Sequence, residues 1–284
     1  MCSVDLLVMR GPVLRCVRLS TLVVLMAATL NTASASYLKL STKASARFSN
    51  AAATVTVHVV NKGDEVIETL QVEAQLGDVR VRGAMLQDVA PETTVTCSVV
   101  IADLPAVRGM HTVALRLRYT STAGDMLSTC ETIPVVTGDP GFGMAISGEL
   151  GSISVPKHSQ MKLRLVSSEA HPLDLNYRVI LPDEFESENA FGTIRLDGGA
   201  SMYLDIGIKN KWASPGSGYA VYVQLDSIVD GIHQSDVVKG RVSVAKRKAI
   251  SKRTTRLGWS TVVVLLMVGM GLEVAAYQRS RSRT

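Results

Sequence analysis

The sequence predicts an all-β protein: two tandem β-sandwiches followed by one C-terminal transmembrane helix. Along most of the chain, apolar and polar residues alternate with a period of two, which is typical of strands that bury one face and wet the other. Turn residues such as Asn61-Lys62-Gly63 and Ser214-Pro215-Gly216 separate these short runs. Near the C-terminus, residues 257–277 form an apolar run that is long enough to cross a bilayer.

The N-terminal residues 1–35 have the layout of a secretory signal peptide. Three arginines precede a short apolar run at 19–30, and Ala33-Ser34-Ala35 supplies the small residues of a cleavage site. The apolar run is too short to span a bilayer comfortably, so the alternative is a buried helix of a globular domain. We predict cleavage after Ala35 and export of the chain that follows.

Residues 36–245 predict two β-modules of similar layout, because each half contains the same succession of strands and turns. The first module covers 36–137, a linker covers 138–143, and the second module covers 144–245. One continuous sandwich is the alternative organisation. The alternating runs are 54–59, 94–101 and 111–119 in the first module and 161–165, 173–181, 201–208 and 219–226 in the second.

Several segments of both modules resemble known families. The first module resembles the CARDB-type Ig-like modules of bacterial envelope proteins in VTVHVVNKGDEVIETLQVEAQL, VAPETTVTCSVVI and GMHTVALRLRY. The second is similar to an Ig-like domain appended to some bacterial glycosidases in SQMKLRLVSS, LDGGASMYLDIGI and SPGSGYAVYVQLD. These resemblances imply an Ig-like sandwich fold and a role in adhesion or scaffolding, with no catalytic residues to carry over.

The order of signal, β-body, single span and basic tail also resembles the beta subunit of the translocon-associated protein complex of the endoplasmic reticulum. That resemblance implies an accessory subunit of a membrane complex.

A basic segment at 246–256 precedes the predicted span and contains no acidic residue. Two interpretations stay open: contact with anionic headgroups or an anionic envelope polymer, and a solvated spacer that lifts the body off the membrane. The candidate residues for contact with an anionic surface are Lys246, Arg247, Lys248, Lys252, Arg253 and Arg256.

The apolar run 257–277 predicts a transmembrane helix, with Trp259 and Tyr277 near its two ends as interfacial aromatics. Residues 278–284 then form a cytoplasmic tail. Glu273 lies near the inner end of the span, where it either snorkels to the interface or pairs with a partner helix. The small residues Gly271 and Ala275 are the candidates that would accompany Glu273 in helix pairing.

The charge distribution argues against a nucleic-acid partner. The formal net charge is +5, but the basic excess lies in the signal, the segment before the span and the tail. Residues 36–245 carry more acidic than basic side chains, which does not suit binding to a polyphosphate.

Candidate chemistry in the body is sparse. Cys97 and Cys130 are the cysteines left after signal cleavage, and in an exported protein they form either a disulfide or two separate thiols. The five histidines are scattered, and His111 lies on an apolar face, which predicts a buried core residue. An acidic run, Asp183 to Glu188, predicts a solvated loop, with Ca²⁺ binding as the alternative.

No motif for nucleotide, metal or nucleophilic catalysis is found in the sequence, so we predict no enzyme, no metal and no cofactor. The sequence predicts a single-pass membrane protein with its body outside the cytoplasm, periplasmic or at the cell surface. Its predicted role is non-catalytic binding, adhesion or scaffolding, with the membrane and other envelope or membrane proteins as partners. The alternative functions are an accessory subunit of a membrane protein complex and, in third place, an enzyme whose site is assembled from distant residues.

Overall fold

The computed structural model describes residues 38–49, 52–102, 108–138 and 146–245. The predicted signal peptide, the basic segment, the transmembrane helix, the tail and nearly all of the predicted linker lie outside these ranges. Within the described ranges, no helix has the length and apolar character needed to cross a membrane. The described regular structure is β-strand, so the predicted all-β class is confirmed.

Seven strands form the first half of the described body, residues 38–138. A three-stranded antiparallel sheet has the order β1-β2-β5, and four further antiparallel strands have the order β4-β3-β6-β7. The strands are β1 (Leu40–Ser49), β2 (Ala52–Asn61), β3 (Ile67–Leu76), β4 (Val79–Val89), β5 (Thr94–Ile101), β6 (Gly109–Ser121) and β7 (Met126–Thr137).

The alternating residues of the first half meet in one apolar cluster. Val55, Val57 and Val59 on β2 are fully buried, and they belong to the same cluster as Leu115 and Leu117 on β6. The polar residues between the β2 valines point the other way, as the period-two pattern predicts. The two sheets therefore enclose a β-sandwich-like core.

Nine strands form the second half, residues 146–245. One sheet has the order β12-β14-β10-β8, and a second group has the order β13-β11-β15-β16, with β9 paired in parallel to β16. The strands are β8 (Ile146–Leu150), β9 (Ser152–Ser154), β10 (His158–Ser167), β11 (Leu173–Ile180), β12 (Phe185–Ser187), β13 (Phe191–Leu196), β14 (Ser201–Asn210), β15 (Gly218–Val229) and β16 (Ile232–Ser243).

The second half encloses an apolar cluster of its own. Met161, Leu163 and Leu165 on β10 are buried against residues of the opposite sheet such as Leu175 and Val223. No residue of the first half belongs to this cluster. Each half thus has a separate core, and the two halves are joined by strand pairing, by polar contacts and by a small apolar cluster.

A parallel bridge between β6 and β16 joins the halves into one nine-stranded sheet. Gly109 lies opposite His233, and the His233 N–H donates to the Arg108 carbonyl oxygen at 2.8 Å. Gly109 has φ +132°, and a Cβ at this position would lie 1.9 Å from the His233 carbonyl oxygen. The bridge therefore requires glycine, because any side chain would push the two strands apart.

Candidate functional site

The described chain has its densest set of charged and hydrogen-bonding side chains at the junction between the two halves. Arg116 and Arg118 project from β6 toward the loop that follows β11. The Arg118 Nε donates to Asp183, and the Arg116 Nη1 lies 3.2 Å from the same carboxylate. The Arg116 Nη2 also donates to the Leu181 carbonyl oxygen at 3.1 Å. Two arginines of one half therefore hold one loop of the other.

Glu73 on β3 anchors these arginines from within the first half. Its side chain is only 4% exposed, and its Oε2 accepts hydrogen bonds from Arg82 and Arg118, both at 2.9 Å. Burial opposes ionisation of this carboxyl, but the two hydrogen bonds and the charges of Arg118 and Arg116 outweigh it. The pKa of Glu73 is therefore lowered, and the carboxylate stays charged under the arginines.

Glu184 makes a second polar contact across the junction. Its residue is 1% exposed, and it accepts hydrogen bonds from the Ser128 N–H at 2.7 Å and from the Ser128 hydroxyl. In return, the Asp183 N–H donates to the Ser128 Oγ at 2.7 Å. Burial raises the pKa of Glu184, while the hydrogen bonds from Ser128 oppose that rise.

These contacts correct the expectation of a solvated acidic loop at Asp183 to Glu188. The first two acidic residues of that run are held at the junction, since Asp183 pairs with two arginines and Glu184 is buried. Glu186 and Glu188 are the members that do not carry these bonds. The spacing of the run gave no sign of this, because the arginines that neutralise it come from a distant strand.

The polar face of β6 needs a similar correction. The alternation assigns Thr112, Arg116 and Arg118 to a solvent-exposed face, but Thr112 is buried and its Oγ1 accepts from Ser235 at 2.7 Å. The second half covers this face. When both faces of a strand are covered by protein, its polar side chains do not have to face solvent. They form hydrogen bonds or ion pairs with the residues that cover them.

His111 is buried, as predicted, but its neighbour was not foreseen. Its ring stacks on the ring of His233 from the second half, with 4.2 Å between centroids and 11° between planes. The His233 Nδ1 donates to the Met110 carbonyl oxygen at 2.7 Å, and its Nε2 lies 3.7 Å from Asp226. The stacked rings lie beside the β6–β16 bridge, because His233 is one of the two residues that form it.

The structure does not bring the two candidate disulfide cysteines together. Both are free and buried: Cys97 belongs to the first-half core, and Cys130 belongs to a small apolar cluster with Ile180 and Tyr222 of the second half. The alternative of two separate thiols is the one this structure contains. Burial raises the pKa of the Cys130 thiol to about 12 and also raises that of Cys97, which favours the protonated thiol over the reactive thiolate at both positions.

Three hollows border the junction, of which the smallest, about 100 Å³, lies beside His111 and His233. A groove of about 510 Å³ contains Glu73, Arg116 and Arg178, with the exposed ring of Phe191 at its lining. A smaller hollow of about 310 Å³ is lined by Met126 of the first half and by Trp212 and other residues of the second. Over the residues with described positions, no group of three or more His, Cys, Asp or Glu is arranged to hold a metal ion.

The remaining candidate residues lie outside the described part of the chain. These are the six basic residues proposed for an anionic surface, Lys246, Arg247, Lys248, Lys252, Arg253 and Arg256, and the helix-pairing residues Gly271, Glu273 and Ala275. Their roles stay predictions.

No protein-family model matches this chain, and no curated protein matches it. Solved structures with a partial likeness include a protein of unknown function from Porphyromonas gingivalis W83, with 16% identity and a TM-score of 0.29 over 72% of this chain and 99% of that one. The E. coli chaperone DraB aligns at 14% identity and TM-score 0.28 over 38% of this chain and 59% of its own. An Escherichia coli alpha-2-macroglobulin aligns at 12% identity and TM-score 0.29 over 74% of this chain and 22% of its own. At these scores the alignments identify neither a family nor a function.

Proposed function

We propose that this chain is a membrane-anchored, non-catalytic scaffold whose exported body consists of two Ig-like β-sandwiches held in one fixed orientation. The observation that carries the proposal is the junction itself, where Asp183 and Glu184 of the second half are bound by Arg116, Arg118 and Ser128 of the first. The signal, the span and the basic segment of the sequence supply the export and the anchor.

The strand order supports the Ig-like part of the proposal. In the first half, β1-β2-β5 faces β4-β3-β6-β7, a seven-stranded antiparallel arrangement in two sheets. Immunoglobulin-like sandwiches divide their strands between two sheets in this way. The second half repeats the plan, with β10 and β14 in one sheet and β11, β15 and β16 in the other.

The junction supports a scaffold because it restricts movement between the halves. Modules joined only by a linker move independently by default. Here a strand bridge, a stacked histidine pair, a buried serine–glutamate contact and an apolar cluster lie between the same two halves. Separating the halves would leave the buried groups of the strand bridge and the serine–glutamate contact without partners and would expose the apolar cluster to water, and both effects oppose opening. A body of this kind presents its surfaces at constant spacing, which suits assembly of other proteins.

The test uses the full chain in membranes. Alkaline carbonate extraction and protease protection first establish whether it is anchored with its body outside the cytoplasm. Crosslinking and purification then compare the native chain, a chain whose residues 257–277 are replaced by leucines, and a double variant Arg118→Gln/Asp183→Asn that weakens the junction.

A scaffold retains its partners with the leucine span and loses them when the junction is weakened. Partners that disappear with the leucine span and persist in the junction variant would support the alternative, an accessory subunit of a membrane complex assembled through Glu273. That result would reject the scaffold proposal.

A further inference from the structure

The chain leaves the described body at the end of the second half that also carries exposed apolar side chains. After β16, the Val244 N–H donates to the Ser217 carbonyl oxygen at 2.9 Å, and the Gly216 N–H donates to the Val244 carbonyl oxygen at 2.8 Å. The exit is therefore fixed beside the turn formed by residues 214–217. We call this end of the body the exit end.

Two large apolar side chains, one from each half, are exposed at the exit end. Trp212 is 49% exposed and Met126 is 67% exposed, and both line the 310 Å³ hollow together with Ser214 and Tyr219. Neither belongs to an apolar core cluster of the described body. Trp212 and Met126 come from separate halves but line the same hollow, so they form a shared exposed apolar surface. Exposed apolar surfaces of this kind indicate interaction sites.

A lysine lies over the indole, and two further lysines are close to it in the fold. The Lys211 Nζ lies 4.3 Å from the centroid of the Trp212 ring. Lys209 and Lys157 are exposed close by, since the Asn210 N–H donates to the Lys157 carbonyl oxygen at 2.7 Å. Acidic side chains also occur at this end: Glu186 lies opposite Lys209 across the strand pair, Asp125 lines the hollow, and the carboxylate of Glu184 is bound to Ser128.

The length of chain between Ala245 and the predicted span limits how far the exit end can lie from the bilayer. Eleven residues, 246–256, separate Ala245 from the apolar run, and at full extension they cover at most about 38 Å. The opposite end of the same hairpin carries Ile228, ten residues along β15 from Gly218 and therefore about 33 Å from it along the strand. The exit end is therefore tethered to the predicted span by these eleven residues, which limits how far it can lie from the bilayer.

We propose that the exit end rests on the lipid surface, with Trp212 and Met126 in the headgroup region and Lys157, Lys209 and Lys211 against anionic headgroups. Indole rings concentrate at membrane–water interfaces, and lysines there place their stems on apolar material and their charges on lipid phosphates. Anionic leaflets attract such basic surfaces. This inference rests on the membrane anchor in the proposed function.

The test measures contact between Trp212 and lipid in the full chain. The sequence has two tryptophans, so Trp259→Phe leaves Trp212 as the only indole, which is excited at wavelengths that the seven tyrosines do not absorb. The chain is reconstituted into vesicles of equal phosphatidylcholine and phosphatidylglycerol, with or without bromine on the acyl chains. An indole in the interface is quenched by brominated lipid, and we expect at least about a twofold loss of emission.

Two further variants make the test selective. In a Trp212→Phe/Trp259→Phe chain, Ile228→Trp places the only indole on an exposed position at the far end, and we expect its emission to be the same in both vesicle types. In the Trp259→Phe chain, Lys211→Glu should reduce the quenching of Trp212 in these vesicles, and replacing phosphatidylglycerol by phosphatidylcholine should have the same effect.

Each outcome distinguishes the inference from the proposed function. A chain that stays in the vesicles after an alkaline wash, but whose Trp212 emission is unchanged by bromine, keeps the anchor and overturns the lipid contact. The same holds if Trp212 is shielded from acrylamide without being quenched by bromine, because a protein surface then covers it. A chain released by the wash contradicts the anchor itself.

Discussion

Replacing Glu73 by glutamine should destabilise the body and remove part of its dependence on pH. The change keeps the shape of the side chain but removes the charge that accepts two hydrogen bonds at 2.9 Å from Arg82 and Arg118. Hydrogen bonds to a charged group contribute about 1.5–3 kcal/mol. The arginine side chains are 62% and 32% exposed and regain water, so we expect a net loss near the lower end, about 2 kcal/mol.

The assay is thermal melting of the detergent-solubilised chain, followed by circular dichroism. For a body of roughly 200 residues, a loss of about 2 kcal/mol corresponds to a decrease in Tm of about 4–8 °C. Arg80→Gln is the matched control, because Arg80 is half exposed and its Nε lies 3.7 Å from the same carboxylate. We expect that control to change the stability by less than about 0.5 kcal/mol.

The pH dependence of Glu73→Gln has a defined sign. The folded-state pKa of Glu73 is lowered below its ordinary value of 4.5, so its charge stabilises the fold fully above that value. The contribution is lost as the pH falls through the lower folded-state pKa. The Tm difference between the native chain and Glu73→Gln should therefore be largest near neutral pH and vanish in strong acid. Equal Tm values at neutral pH, or a difference that persists in strong acid, would refute this reasoning.

Three other substitutions or treatments test the junction and the cysteines. Asp183→Asn should weaken both arginine contacts, cost about 1–2 kcal/mol and speed hydrogen exchange in β7 and β11. Gly109→Ala should break the β6–β16 bridge and lower Tm, because its Cβ would overlap a carbonyl oxygen, whereas Gly151→Ala has open space and should not. Cys97 and Cys130 should each react with a maleimide only after denaturation, whether or not a reductant is added first.

The outcomes that contradict these expectations are distinct. Unchanged exchange in Asp183→Asn would mean that the arginines do not restrain the second half. Equal Tm values for the two alanine variants would mean that the bridge does not form in solution. A thiol count that rises after reduction would establish a disulfide and reject the two buried free thiols.

The strands could be predicted from the sequence because the alternation of apolar and polar residues is visible within each strand. Val55, Val57 and Val59 bury their side chains on one face of β2, and the alternation predicts this without knowledge of the partner strand. The buried position of His111 followed from the same reasoning. Turn residues between the strands marked where the chain reverses, although pairing order and register were not predicted.

The contacts at the junction between the two halves could not be predicted in the same way. Arg116 and Arg118 have the parity of a solvent-exposed face, and Ser128 and Cys130 occupy the polar parity of β7. In the structure these faces are covered by the second half. The sequence signal was a pair of arginines on one strand and an acidic run farther along the chain. The two residues that form the contact, 118 and 183, are 65 positions apart. Nothing local connects such segments.

The sequence by itself determined the all-β class and the strands that bury apolar faces, and it predicts a signal peptide and a membrane span from its two apolar runs. These features depend on periodicity and length, which are properties of neighbouring residues. The tertiary structure decided that Asp183 and Glu184 lie within a junction, that Cys97 and Cys130 lie in different clusters, and where Trp212 sits relative to the exit. Such contacts join residues far apart in sequence, so they exist only once the two halves have packed together.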